Sequence, residues 1–144
     1  MIEQDTVRLL RECDAGVKMG VRSIDDVIEH VRSDAMREKL NRCKEEHMEL
    51  ELRIRSALDR FGDRGKSPNP VATTMSWIKT GVKLAAEDSD RTVADLMTDG
   101  CNMGVKSLNG YLNEFKAADE ESKDIAKKLI ALEERLAEDV SDYL

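Results

Sequence analysis

Aromatic residues, prolines and glycines are scarce in this chain of 144 residues. Aromatic side chains make up 3% of it, and there are two prolines and eight glycines. Sandwiches and barrels of short strands need many turn residues and many β-branched or aromatic side chains, so the composition argues against those classes. The three cysteines, Cys13, Cys43 and Cys101, are odd in number and form no CxxC motif. A secreted disulfide scaffold is therefore not expected, and a reducing cytoplasm fits best.

Long apolar runs and an excess of positive charge are also missing. No apolar stretch approaches the roughly 20 residues that span a bilayer, and the first ten residues lack the pattern of a signal peptide. The 23 Lys and Arg residues against 30 Asp and Glu residues give a net charge of −7. That is the wrong sign for a general nucleic-acid binder, because such proteins neutralise phosphates. We expect a soluble helical domain with neither a membrane nor a nucleic-acid partner.

What the sequence does contain is apolar residues spaced by threes and fours, the pattern of amphipathic helices. Four long helices are predicted: the first at about residues 4–32, the second from a Ser33 cap to Phe61, the third from a cap at Ser89 or Asp90 to Phe115, and the fourth after a turn at Ala118 and Asp119. The inward face of the fourth helix is predicted to be Ile125, Leu129, Leu132, Leu136, Val140 and Tyr143.

Four amphipathic helices of matched length predict a four-helix bundle. The 28 residues between Phe61 and Asp90 are enough to climb its length, and they contain a short helical pattern with Trp77 at the edge of its apolar face. We therefore predict an all-α, ferritin-like four-helix bundle with one long crossover that carries a short extra helix. The single domain, residues 1–144, would consist of a helical hairpin at 4–61, the crossover at 62–89 and a second hairpin at 90–143.

A short internal repeat relates the two hairpins. Residues 19–24, MGVRSI, recur as residues 103–108, MGVKSL, and in the same register Gly16 matches Gly100. We interpret this as an internal duplication around a pseudo-two-fold axis. Mid-helix glycines cost about 1 kcal/mol each, so they indicate either close helix approach or space for a ligand.

Residues 13–18 (CDAGVK), the Ser76-Trp77 segment and the stretch 100–108 carry a resemblance to a known family. Across nearly the whole chain, the sequence resembles small bacterial four-helix bundles of the ferritin-like superfamily, which have no settled activity. The resemblance implies the fold and a dimetal ancestry. It also implies that metal-competent relatives carry glutamate where this chain has Val17 and Cys101.

The residues that a dimetal site needs are not in place. Such a site takes a Glu from each of two helices and a Glu-x-x-His turn from each of the other two. Val27 stands three residues before His30, and Lys44 stands three before His47. Asp14 flanks the apolar stripe and is predicted to be half-buried. The other acids are interpreted as a solvated face: Glu12, Asp25, Asp26, Glu29, Glu45, Glu46, Glu49, Glu51, Glu133, Glu134 and Glu138.

Two sets of residues remain as candidate functional sites, one made of cysteine and histidine and the other made of exposed apolar side chains. Cys43, His47 and Cys101 are predicted to lie near one level of the bundle, where they could hold zinc or another soft metal. Buried thiols that act as small hydrophobes and a core histidine are the more common explanation, so no metal is expected. Met48 and Leu52 point away from the core, and with Trp77 they could form a homodimer interface. The crossover could instead cover Met48 and Leu52.

Two functions from different classes follow from these features. The first is a non-enzymatic scaffold or interaction protein, a ferritin-like bundle that has lost its dimetal ligands and needs no cofactor. The second is a metal-binding or redox protein that uses Cys43, His47 and Cys101. A third reading is a small-molecule binder in the space left by Gly16, Gly20, Gly100 and Gly104.

Overall fold

The computed structural model describes residues 2–68 and 89–144, and both ranges are helical without strands. Four long helices account for most of them: α1 (Ile2–Val27), α2 (Asp34–Asp59), α3 (Asp90–Glu114) and α4 (Glu120–Val140). Short 3-10 turns at Ile28–His30 and Ser141–Tyr143 follow α1 and α4. No helix within the described ranges combines the length and apolar character needed to cross a bilayer. The predicted short helix of the crossover, including Trp77, lies outside the described residues.

Side-chain caps set the beginnings of three helices. Ser33, Ser89 and Asp119 accept hydrogen bonds from the backbone amides of Met36, Thr92 and Ser122. Each cap satisfies one of the amides that a helix start leaves without an intrahelical partner. These three starts agree with the predicted ones to within one residue.

The predicted ends are less accurate. The first helix stops at Val27 rather than residue 32, and the second stops at Asp59, so Phe61 lies in a turn and is 37% exposed. Phe61 was predicted to be the last residue of the second helix. Its exposure follows from the turn at residues 60–62, where Gly62 adopts a φ of +67° that ends the helical spacing.

Hydrogen bonds at the two ends of the bundle define the helix directions. Asp90, at the start of α3, accepts from the amides of Arg32 and Ser33, just before α2 begins. At the opposite end, Asp5 and Thr6 near the start of α1 accept from the amides of Ala117 and Asp119. α2 and α3 therefore run parallel, and α1 and α4 run antiparallel to both.

The neighbours of each helix complete the arrangement. α1 packs beside α2 and α3, α4 packs beside the same two helices, and α1 and α4 also meet across the centre. α2 ends and α3 begins at opposite ends of the bundle.

The apolar interior is divided into two clusters along the bundle axis. One cluster surrounds Leu10, Ile54 and Leu129, toward the α3–α4 turn. The other surrounds Ile24, Leu40 and Val93, toward the start of α2. Burial of these side chains is the main source of stability, at about 25 cal/mol per Å² of apolar surface.

Candidate functional site

The layer between the two apolar clusters receives one residue from each helix. Gly20 comes from α1, His47 from α2, Gly104 from α3 and Glu133 from α4, and each stands between apolar residues of the two clusters. The His47 side chain is 1% exposed and that of Glu133 is 13% exposed. The middle of the bundle is thus a polar pair bordered by two glycines.

His47 uses both ring nitrogens. Nδ1 donates to the backbone oxygen of Cys43 at 2.8 Å, and Nε2 donates to Oε1 of Glu133 at 3.0 Å. Both partners are acceptors, so each nitrogen carries a proton and the ring is an imidazolium. Burial acts to lower the pKa of His47, but the hydrogen bonds with the Cys43 side chain, whose Sγ lies 3.5 Å from Nδ1, and with Glu133 outweigh it and raise the pKa to about 10. The pair is a buried imidazolium–carboxylate salt bridge.

Gly20 makes room for this salt bridge, and Gly104 lies beside it at a distance that a Cβ atom could tolerate. A Cβ atom at Gly20 would stand 2.7 Å from Nε2 of His47, well inside van der Waals contact. A Cβ atom at Gly104 would stand 3.4 Å from Oε2 of Glu133. The repeated Met-Gly pairs at residues 19–20 and 103–104 therefore place their glycines against the two members of one ion pair.

Two of the predicted soft-metal ligands surround the same pair. Cys43 Sγ lies 3.5 Å from Nδ1 of His47, and Cys101 hydrogen-bonds with Glu133. Burial and then the charge of Glu133 raise the pKa of the Cys101 thiol far above its ordinary value. Cys43 and Cys101 belong to the apolar cluster toward the start of α2, whereas Cys13 belongs to the cluster toward the α3–α4 turn. Among the described residues, no group of three or more His, Cys, Asp or Glu side chains is arranged to hold a metal ion.

A second buried polar cluster lies between α1 and α2. Asp14 is fully buried, and its Oδ2 accepts from Lys18 Nζ at 2.7 Å and from the amide of Lys66 at 2.8 Å. Its other oxygen, Oδ1, and Oε2 of Glu51 are buried without a hydrogen-bond partner among the described residues, and the two carboxyl groups are close enough to shift each other's pKa. Two carboxyl groups that interact in a buried site do not both ionise readily, so we infer that the pair shares one proton and consists of one carboxylic acid and one carboxylate.

The Asp14 cluster fastens the chain that follows α2. Gly65 has a φ of +87° and its amide donates to Asp63, which also pairs with Arg11 of α1. Lys66 forms an ion pair with Glu12 of α1. Residues 63–66 are therefore bound to α1 at the level of Asp14.

The shared proton predicts a pH dependence of stability. Burial, and then the neighbouring Asp14, raises the pKa of Glu51 to about 7. Between the ordinary value of about 4.3 and this raised value, the folded state binds more protons than the unfolded state, so stability falls as pH rises through that window. Urea unfolding of wild type at about pH 5 and pH 8 should show a larger loss than Glu51→Gln shows over the same range. Equal losses in the two proteins would contradict the shared proton.

Several acids that were predicted to be solvated are not. Glu133 and Glu51 were both assigned to a solvated acidic face, and that assignment is wrong for each of them. Asp14, predicted to be half-buried, is completely buried. Each of the three lies next to an apolar position on its helix and interacts with a residue outside that helix, which a single-helix pattern does not reveal.

The predicted interface residues fall into two groups. Met48 and Leu52 are 53% and 73% exposed, and they line a groove between α1 and α2 together with Val17 and Val21. Trp77, the third residue predicted for the interface, lies outside the described residues.

A groove with a volume of about 380 Å³ lies between α1 and α3, beside the middle layer, and side chains of α4 form part of its lining. Gly100, Met103 and Ser107 in this lining are exposed to solvent. Its walls include His47, Glu133 and four glycines, Gly16, Gly20, Gly100 and Gly104. Its apolar walls include Met97, Leu108, Leu129 and Leu136.

Comparison of the chain with protein-family models, with curated proteins and with solved structures finds no match in any of the three. The assignment of function therefore depends on the geometry of the site.

Proposed function

We propose that this protein is a non-enzymatic binding bundle, with a ferritin-like arrangement in which a salt bridge occupies the place of a dimetal centre. The observation that carries the proposal is the composition of the middle layer. A dimetal carboxylate centre needs several inward carboxylates and two free imidazole nitrogens. The layer instead holds one carboxylate, Glu133, and the imidazolium of His47, between two glycines.

The helix directions and the repeat support the ferritin-like part of this proposal. α2 and α3 run parallel although they are consecutive, which is the helix order of a ferritin-like bundle. The placement of Gly20 and Gly104 against the two members of one ion pair is what an internal duplication with a pseudo-two-fold axis would produce. The exposed Met48 and Leu52 offer a surface on which a second copy could associate.

Metal analysis tests this function. Protein purified without chelator, from medium supplemented with iron and manganese, should contain far less than one metal atom per chain. Stoichiometric iron or manganese that is lost in Glu133→Gln would contradict the proposal, because it would make Glu133 a metal ligand rather than a salt-bridge partner.

The second candidate is a soft-metal site, and the closeness of Cys43, Cys101 and the His47–Glu133 pair favours it. Zinc or copper would have to displace protons from the thiols and the imidazolium. Zinc titration separates the candidates with a matched pair of variants. If this candidate holds, Cys43→Ser abolishes uptake and Cys13→Ser, in the other half of the core, does not. Absence of uptake by wild type, or equal uptake by both variants, would discard it.

A further inference from the structure

The face of α2 that points away from the core carries a regular pattern of its own. Glu45, Met48, Leu52 and Arg55 are all exposed, and they follow one another at spacings of three, four and three residues. That spacing places the four side chains on one side of the helix, and it is the spacing of helices that pair along their length. The buried residues of α2, among them His47, lie on the opposite side. We call this exposed row of four residues the outer seam of α2.

Two large apolar side chains form the centre of the outer seam. Met48 is 53% exposed and Leu52 is 73% exposed, and they line one groove together with the partly buried Val21 of α1. A single exposed leucine is ordinary on a protein surface, but adjoining large apolar side chains bordered by charged residues are typical of interfaces between proteins. The centre of the seam therefore indicates an association surface, and the charges beside it indicate the partner.

The charges of the outer seam are arranged so that the surface complements itself. Glu45 precedes Met48 by three residues and Arg55 follows Leu52 by three residues. A second copy with its α2 antiparallel, related by a two-fold axis midway between Met48 and Leu52, places Met48 on Leu52 and Glu45 on Arg55, and each contact occurs twice. A parallel α2 would instead place each charge against its own counterpart. The opposite charges thus favour a second copy in the antiparallel direction.

Both charged residues of the seam have capacity for a new partner. Within residues 2–68 and 89–144, Glu45 has no ion-pair partner. The Arg55 side chain is 50% exposed, lies 3.9 Å from Glu51 and donates one hydrogen bond to the backbone oxygen of Arg64 at 3.0 Å. A guanidinium has five N–H donors, so Arg55 can also bind a second carboxylate. Glu49, at the margin of the seam, would approach its own counterpart, and its exposure lets solvent and salt screen that repulsion.

We infer that two copies of this chain associate through the outer seams of their α2 helices, packed antiparallel about a two-fold axis, with Met48 against Leu52 and Glu45 against Arg55. The inference rests on the proposed function, since it identifies the partner of the binding bundle as a second copy. Burial of the apolar centre supplies the affinity, and the two ion pairs fix the direction and register of the helices.

Sedimentation equilibrium of the full chain measures the association. The wild-type mass should rise with concentration from 16.2 kDa toward twice that value. Leu52→Glu places a charge in the apolar centre, and it should keep the mass of one chain at the same concentrations. The control Leu144→Glu makes the same change at a leucine that is 56% exposed and lies outside α2, and it should associate as wild type does. Circular dichroism and thermal unfolding establish that both variants are folded.

A charge exchange tests the antiparallel register. Glu45→Arg alone and Arg55→Glu alone each place like charges together across the axis, and each should weaken association by about 10-fold or more. The double variant Glu45→Arg with Arg55→Glu restores opposite charges at both contacts, and its affinity should return to within about 3-fold of wild type. A double variant that associates no better than the single variants would overturn the antiparallel packing.

The outcomes separate this inference from the proposed function. A wild-type mass of 16.2 kDa at every concentration, or association that persists in Leu52→Glu, overturns the outer seam as the dimer interface. If the protein is then also free of stoichiometric metal, the non-enzymatic bundle stands and only this interface is discarded. Stoichiometric iron or manganese that depends on Glu133 overturns the proposed function, whatever mass the protein has.

Discussion

Replacing His47 with leucine is expected to lower the free energy of unfolding by about 3–5 kcal/mol. The substitution removes the cation but leaves the carboxylate of Glu133 in a nearly dry layer, where its side chain is 13% exposed. An unpaired buried charge costs far more than the loss of one hydrogen bond. Urea unfolding followed by circular dichroism measures the effect.

The double variant His47→Leu with Glu133→Leu is the decisive companion. It removes both charges, so it should be more stable than His47→Leu alone, because replacing both members of a buried pair by apolar residues is often nearly neutral. His30→Leu serves as a control for histidine loss at a partly exposed position. If His47→Leu costs no more than His30→Leu, the two residues do not form a buried ion pair.

Gly65→Ala is expected to destabilise the protein by about 2–4 kcal/mol. Two causes add at this position. A Cβ atom there would stand 2.2 Å from Oδ2 of Asp14, and the φ of +87° is unfavourable for alanine. Because Asp14 is fully buried and bound to Lys18 and Lys66, it cannot move away without losing those hydrogen bonds.

Gly62→Ala is the matched control for this prediction. Gly62 also has a positive φ, of +67°, but a Cβ atom there meets no described atom within 4 Å. Its cost should therefore be backbone strain alone, about 1–2 kcal/mol. Chemical denaturation of the two variants side by side isolates the contact with Asp14. Equal costs would mean that Asp14 does not hold residues 63–66 on α1.

The helices could be predicted from the sequence because each apolar stripe is a local pattern. Ser33 and Ser89 were recognisable as caps from residue type and position alone, and Asp119 was recognisable as part of the turn before the fourth helix. The ends of α1 and α2 could not be located as well, since the apolar spacing continues past Val27 and Asp59 into residues that leave the helix. Phe61 shows the limit of the pattern, because the turn carries it away from the core.

Of the two charged residues in the candidate site, one could be predicted from the sequence and the other could not. His47 was identifiable because it interrupts an apolar stripe. Glu133 was missed because the α4 pattern allows two paths from Leu129 to Leu136, through Leu132 by a step of three or through Glu133 by a step of four. Because leucine is apolar and glutamate is charged, the sequence pattern assigned Leu132 to the core. The structure instead places Glu133 in the middle layer and Leu132 at the edge of the core. The deciding partner, His47, lies on another helix.

The repeated glycines were visible in the sequence, but the sequence did not show why glycine occupies these positions. Small residues at Gly20 and Gly104 indicated either close helix approach or space. The structure shows that Gly20 accommodates the ring of His47 and that Gly104 lies against the carboxyl group of Glu133, so neither position faces a neighbouring backbone. Distances across the bundle depend on which helices are neighbours, and that information is absent from any single stripe.

The protonation state of His47 tests the central claim most directly. Nitrogen NMR of the labelled protein distinguishes imidazolium from neutral imidazole, and the protein unfolded in urea provides the reference near the ordinary value of about 6.5. The salt bridge predicts that the His47 ring stays doubly protonated through about pH 8 and titrates near 10. A ring that becomes neutral at or below the unfolded value would contradict the buried ion pair on which this account depends.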